Sequence, residues 1–179
     1  MTTSRRGRLP AMARAGRPLR RWMSFLGLAV MTLGCSRRTL EMPSATMEPT
    51  ISAGSSVTVD FGAYDSVRPS RFDIVAFEPP SLLQSIFVFR VIGLPGESVR
   101  ITTHEVLVDG KSLDLAEGLN YAPLPFLKKE TTLGPTQFFL LGDNTTHAKD
   151  SRYIGPIERN AILGKVVGIK QKTISHTER

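Results

Sequence analysis

Beyond residue 38 the chain is built of short runs rich in Val, Ile, Phe and Thr, each closed by turn-forming residues. The stretches SSVTVDFGAY (55–64), FDIVAFEPP (72–80), IFVFRVIGL (86–94), SVRITTHEVLVDGKSL (98–113), QFFLLGD (137–143) and ILGKVVGIKQ (162–171) have the composition and length of β-strands. No segment after the leader carries the long 3.6-residue period of an amphipathic helix. Asp109-Gly110, between EVLV and KSL, predicts a two-residue hairpin turn, and Leu94-Pro95-Gly96 predicts another turn. The pattern predicts a mainly β domain with a coiled, partly closed antiparallel sheet. Residues 114–136, with Pro123, Pro125 and Pro135, are the least regular connection, and the last eight residues read as a solvated tail.

The first 38 residues differ in kind. Seven arginines through Arg21 precede an apolar run from Trp22 to Gly34, followed by Cys35 and then Arg37-Arg38. Thirteen residues, broken only by Ser24 and Thr32, are few for a spanning helix, which needs about 20, and suit the apolar core of an export signal. Cys35 is the only cysteine, so an intrachain disulfide is excluded. Its setting after Thr32-Leu33-Gly34 resembles a bacterial lipoprotein cleavage site, which makes Cys35 a lipidation candidate. The alternative is an uncleaved, tilted anchor with its basic end in the cytoplasm. Either way the expectation is a basic leader with a signal or anchor segment over 1–35 and a β domain over 36–179, held at a membrane on its extracytoplasmic side.

Charge narrows the function classes. The formal net charge is +7, yet nine arginines precede the first acid, Glu41, so the remaining 14 basic residues face 16 acids. With the basic excess confined to the leader, the domain offers no phosphate-neutralising face, and nucleic acid is not an expected partner. His104, His147, His176 and Cys35 lack metal-ligand spacing, and no phosphate loop or dinucleotide fingerprint occurs, so no metal or other cofactor is expected. Three punctuated stretches remain as candidate chemistry: Ser44 to Thr50 (SATMEPT), Arg90 to Glu97 (RVIGLPGE), and Gly142-Asp143-Asn144 followed by Asp150-Ser151-Arg152.

In this order, just after an apolar segment, these stretches resemble the bacterial signal peptidase I family. Its motifs are Ser-x-Ser-Met-x-Pro-Thr, Arg-Gly-Asp-Ile-Val-x-Phe, Lys-Arg-x-x-Gly-x-Pro-Gly-Asp/Glu and Gly-Asp-Asn with Asp-Ser-Arg beyond. They match Ser44 to Thr50, Arg71 to Phe77, Phe89 to Glu97 and Gly142 to Arg152 here. The resemblance covers roughly residues 36–170. It implies the family's coiled β fold with a small variable subdomain, here 103–136. It also implies a membrane-tethered endopeptidase that removes leader peptides from exported preproteins.

The departures lie at the chemistry. The resemblance puts Thr46 at the nucleophilic serine and Phe89 at the lysine that serves as its base, while Ala148 stands where a serine supports that lysine. A hydroxyl attacks poorly until a base takes its proton, and a phenyl ring accepts none. Ser44 matches the side-chain donor to the oxyanion, Met47 is its groove neighbour, and the Thr46 N–H is a second donor. Arg90, Asp143, Asn144, Asp150 and Arg152 match polar positions framing the site, with Asp150 and Arg152 expected to pair. Two readings stay open. One is a catalytically impaired, peptide-binding relative, acting alone or beside an active signal peptidase. The other is an active divergent peptidase in which Thr46 attacks with a base recruited from His147 or Lys149.

Overall fold

A computed structural model of the chain describes residues 36–79, 85–103, 105–115, 119, 121–122 and 130–172. The chain falls into two units, 1–34 and 35–179, and all described residues belong to the second. Cys35, His104 and His176 lie outside them. Among the described residues no helix is long and apolar enough to cross a membrane.

The domain is mainly β. Its strands are β1 (Arg37–Met42), β2 (Ser55–Asp60), β3 (Ile74–Phe77), β4 (Phe87–Gly93), β5 (Ser98–Ile101), β6 (Val106–Val108), β7 (Lys111–Ser112), β8 (Thr131–Thr132), β9 (Gln137–Leu141), β10 (Ile157–Glu158) and β11 (Ile162–Lys170). Among the described residues, one helical turn, α1 (Ser151–Ile154), and a 3₁₀ turn at Arg159–Ala161 complete it. Seven strands form one sheet in the order β1-β2-β11-β3-β4-β9-β10, and four form a second in the order β7-β6-β5-β8. Every pairing is antiparallel. Ladder shifts at Val166/Gly168, Ile162/Gly164 and Val91/Gly93 mark bulges, which bend a strand and sharpen its twist.

Local chemistry accounts for the strand ends. The run 55–64 stops being a strand at Asp60, whose carboxylate accepts the Gly62 N–H at 3.0 Å and turns the chain. The run 98–113 divides where Thr102 and Glu105 bond each other, giving β5 and β6. Asp109 and Gly110 both have positive φ, 50° and 73°, as a type I′ hairpin turn requires, and join β6 to β7. β1 is not among the apolar runs. It is a largely exposed edge strand held by its six-residue ladder to β2, so pairing rather than burial makes it a strand.

Strands β4 and β9 separate two apolar cores, because successive side chains on a strand face opposite ways. Phe89, Val91, Phe138 and Leu140 pack with Met47, Ile51, Val57, Val59, Val75 and Phe77 on one side. Ile92, Phe139 and Leu141 pack with Val99, Ile101, Val106, Tyr121 and Leu133 of the small sheet on the other. The loop after β9 and the residues beside Phe89 therefore sit where the two cores meet.

Candidate active site

Residues 44–50 form consecutive turns whose anchor is apolar: Met47 and Ile51 are fully buried, and the Ile51 N–H donates to the Met47 carbonyl at 2.8 Å. Met47 thus belongs to the core beneath the segment. Ser44 is exposed and Thr46 half-buried, and their hydroxyls lie 3.2 Å apart. The Thr46 carbonyl accepts the Asn144 N–H at 3.0 Å, so the first and fourth motifs are stitched together through the backbone.

Gly142 shows how closely the departing positions gather. A Cβ added there would collide with the Ala148 methyl and would lie 2.7 Å from the Thr46 carbonyl oxygen and 3.3 Å from Phe89 Cε1. Three residues separated by 43 and 59 positions along the chain therefore surround one glycine, and only glycine fits between them. Phe89 is 1% exposed; its ring lies 5.4 Å from Phe77 and 6.2 Å from Phe87, both tilted, at distances where aromatic rings attract. With Ala148 also buried, the position that the resemblance gives to a lysine is enclosed in the apolar core, with Thr46 as its polar neighbour across Gly142.

The polar frame beside it is densely bonded. Arg90 grips Asp143 with two parallel bonds, Nε to Oδ1 at 2.8 Å and Nη2 to Oδ2 at 2.6 Å. Thr50 donates to Asp143 Oδ2 at 2.5 Å and Tyr121 to Oδ1 at 2.9 Å, so four donors hold one buried carboxylate. Burial works against the charge on Arg90, but the bonds and charge of Asp143 outweigh it and push its pKa up. Burial, and then the Asp143 charge, push the Tyr121 phenol well above its ordinary value, which keeps it a donor.

The second frame pair is Asp150 and Arg152. Asp150 caps α1 by accepting the Arg152 N–H at 3.1 Å and takes Arg152 Nε at 2.8 Å and Nη2 at 2.9 Å. The oxygen that takes Nη2, Oδ2, also accepts the Gly142 N–H at 3.2 Å. Arg152 spends its remaining donors on the carbonyls of Ala122, Thr145 and Ala148. Both side chains are buried, and the pair clamps the loop 142–150 from beneath. Ser151 ties α1 to β9 by accepting the Leu140 N–H at 2.9 Å.

His147 and Lys149 are exposed. His147 Nδ1 is engaged within its own turn, 2.9 Å from Thr146 Oγ1 and 3.2 Å from Asn144 Oδ1. Among the described residues, the hydrogen bond of the Thr46 hydroxyl is with Ser44, and none joins it to His147 or Lys149. The structure therefore brings Ser44, Thr46, Phe89, Asn144 and Ala148 together, with Arg90–Asp143 and Asp150–Arg152 as supports. Tyr121 is a site-framing residue that sequence reasoning missed. It lies in the irregular stretch 114–136, where no pattern singles it out.

Known proteins resemble this chain over most of its length. The family model described as "Signal peptidase, peptidase S26" matches residues 17–169. The protein named "Probable signal peptidase I-2" of Synechocystis sp. is 32% identical over 146 residues, covering 79% of this chain and 65% of that protein. The "Signal peptidase I" of Leptolyngbya laminosa is 32% identical over 166 residues, covering 86% of this chain and 80% of that protein. A solved signal peptidase I from Enterococcus faecalis superposes with a TM-score of 0.47 at 28% identity, over 56% of this chain and 97% of that one. The match over most of the chain, carried through all four motif stretches, makes this protein a member of the signal peptidase family, peptidase S26.

Proposed function

We propose that this chain is a membrane-tethered, peptide-binding member of the family whose own proteolytic chemistry is impaired. Its ligands are leader peptides of exported preproteins, held on the extracytoplasmic side of a bacterial membrane, and an active signal peptidase is a natural partner. The observation that carries the reading is Phe89, buried at 1% exposure among aromatic rings and beside Ala148, at the position where the family's base belongs. A neutral lysine there would take the proton from the attacking hydroxyl, and a phenyl ring takes none. Losing the base of such a hydrolase lowers turnover by roughly 10⁴ to 10⁶.

Binding does not need that base. A peptide carbonyl seated between Ser44 Oγ and the Thr46 N–H receives both donors whether or not the hydroxyl of Thr46 ever attacks. In support, the pairs Arg90–Asp143 and Asp150–Arg152 hold the loop whose Asn144 N–H bonds the Thr46 carbonyl. The tether is assigned to residues 22–35, either as an anchor or through lipidated Cys35.

The test is incubation of the full-length protein, in detergent, with a synthetic leader peptide ending in small residues. Binding is followed by fluorescence anisotropy and products by mass spectrometry. The reading expects binding and an intact peptide, with Thr46→Ala changing neither. Cleavage by the native protein that disappears in Thr46→Ala, and again in His147→Ala or Lys149→Ala, would establish the active alternative instead.

A further inference from the structure

Residues 70–73 make a tight turn, closed by the Asp73 N–H donating to the Ser70 carbonyl at 3.1 Å, and its third residue, Phe72, has φ of 70°. A positive φ at the third position is the mark of a type II turn, where glycine is the usual occupant because any Cβ crowds the backbone. The family motif carries glycine at this place. Here the position holds one of the bulkiest side chains, and packing gives little in return. The ring is 37% exposed and belongs to neither apolar core.

The backbone around Phe72 is held from several directions. Its N–H donates to the Val91 carbonyl at 2.8 Å, and its carbonyl accepts Arg90 Nη1 at 3.2 Å. The Val91 N–H donates to the Asp73 carbonyl at 2.9 Å. The Asp73 carboxylate accepts the Ser70 N–H at 3.0 Å, the Tyr64 hydroxyl at 2.8 Å and Lys165 Nζ at 2.6 Å. Unfavourable backbone persists only where its surroundings over-determine it, and it gathers at places that contact ligands. Arg90 is also the residue that holds Asp143 and reaches Thr50 Oγ1 at 3.3 Å, so this turn is bonded directly to the frame of the candidate site.

We infer that Phe72 is a peptide-contacting residue, its exposed ring offering an apolar contact to a large apolar side chain of a peptide bound beside Thr46. The inference rests on the peptide-binding reading above and adds to it one residue, on the turn before β3, that meets an apolar side chain of the peptide. A ring fixed on a rigid turn meets such a side chain with little loss of conformational freedom, which is why aromatic side chains recur at binding surfaces.

The test uses full-length protein in detergent and a fluorescein-labelled synthetic peptide with a leucine-rich segment followed by Ala-Gln-Ala. Affinity is read by anisotropy and stability by urea midpoint for the native protein, Phe72→Gly, Phe72→Asn and Phe72→Tyr. Glycine relieves the left-handed backbone and asparagine tolerates it, so both variants keep the turn while losing the ring. The expected result is a loss of about five- to tenfold in affinity for both, with midpoints equal to or above the native one, and affinity within about twofold for Phe72→Tyr. If the native protein binds and the Gly and Asn variants bind equally well, the inference is wrong and the peptide-binding reading stands. Unchanged peptide affinity with weakened binding to phosphatidylglycerol/phosphatidylethanolamine vesicles would assign the ring to the lipid surface and also overturn it. A native protein that does not bind the peptide removes the functional reading itself.

Discussion

Phe89→Lys restores the side chain that the family's chemistry uses, and in this scaffold it is predicted to be severely destabilising. The position is 1% exposed, walled by Phe77, Phe87 and Ala148. An ammonium placed there loses most of its water, with no carboxylate beside it and Thr46, whose carbonyl lies across Gly142, as its polar neighbour, so the folded state takes the neutral amine. Holding a lysine neutral at pH 7, when its unperturbed pKa is about 10.4, costs about 4 to 5 kcal/mol at about 1.4 kcal/mol per unit. Lost ring contacts add about 1 kcal/mol, which Phe89→Met would measure alone. The sum approaches the whole stability of an ordinary domain.

The pH dependence gives the sharper signature. The unfolded chain carries the ammonium and the folded one the amine, so unfolding takes up a proton between the two pKa values. Stability of the variant then rises with pH, by at most about 1.4 kcal/mol per unit, until the unfolded lysine also deprotonates. Urea midpoints of native protein, Phe89→Lys and Phe89→Met at pH 7 and pH 9.5 are the assay. A Phe89→Lys midpoint equal to the native one, or one indifferent to pH, would mean that the lysine reaches water. The picture of a dry, filled base position would then be refuted.

Other consequences follow from the frame. Arg152→Ala strands the buried Asp150 carboxylate and should cost about 3 to 5 kcal/mol, whereas Lys149→Ala, an exposed charge, should cost under about 0.5 kcal/mol; equal denaturation midpoints would reject the distinction. Tyr121→Phe removes one of four donors to buried Asp143 and should cost about 1.5 to 3 kcal/mol by urea unfolding, with the Arg90 bonds left intact. Burial opposes the charge of Asp73, but Lys165, the Ser70 amide and Tyr64 outweigh it and hold its pKa below the ordinary 3.8. Its contribution is therefore present above that value and lost as pH falls through the folded pKa, so Asp73→Asn should flatten the loss of stability between pH 5 and about pH 3.

Legibility followed the length of the signal. Strands such as β2, β4, β9 and β11 lie within long apolar runs and could be read from them. β8 and β10 are two residues each, too short for any period to register, and β1 is a polar edge whose only warrant is its partner β2. The motifs mark Arg90 and Asp143 as polar positions near a site. That they hold each other depends on the register of β4 against β9, Arg90 opposite Leu141, across 53 positions. Tyr121 reaches Asp143 from a connection without periodicity, so its part is purely a matter of tertiary packing. The positive φ at Phe72 is likewise invisible in a run that reads as continuous strand, because the turn is imposed by bonds from β4 and from Asp73.

The central claim is that the site's frame is intact and only its proton-transfer chemistry is missing. It is tested most directly by comparing the native protein with the triple variant Thr46→Ser, Phe89→Lys, Ala148→Ser, full length in detergent, against one leader peptide with products read by mass spectrometry. The hydroxyl that Ala148→Ser adds gives the new amine a polar neighbour across Gly142, where Phe89 and Ala148 already meet. The account predicts no products from the native protein and, from the folded fraction of the triple variant, cleavage after a small residue, lost again when position 46 is made alanine. Cleavage by the native protein itself, or a triple variant that folds and binds the peptide yet never cuts it, would contradict the account.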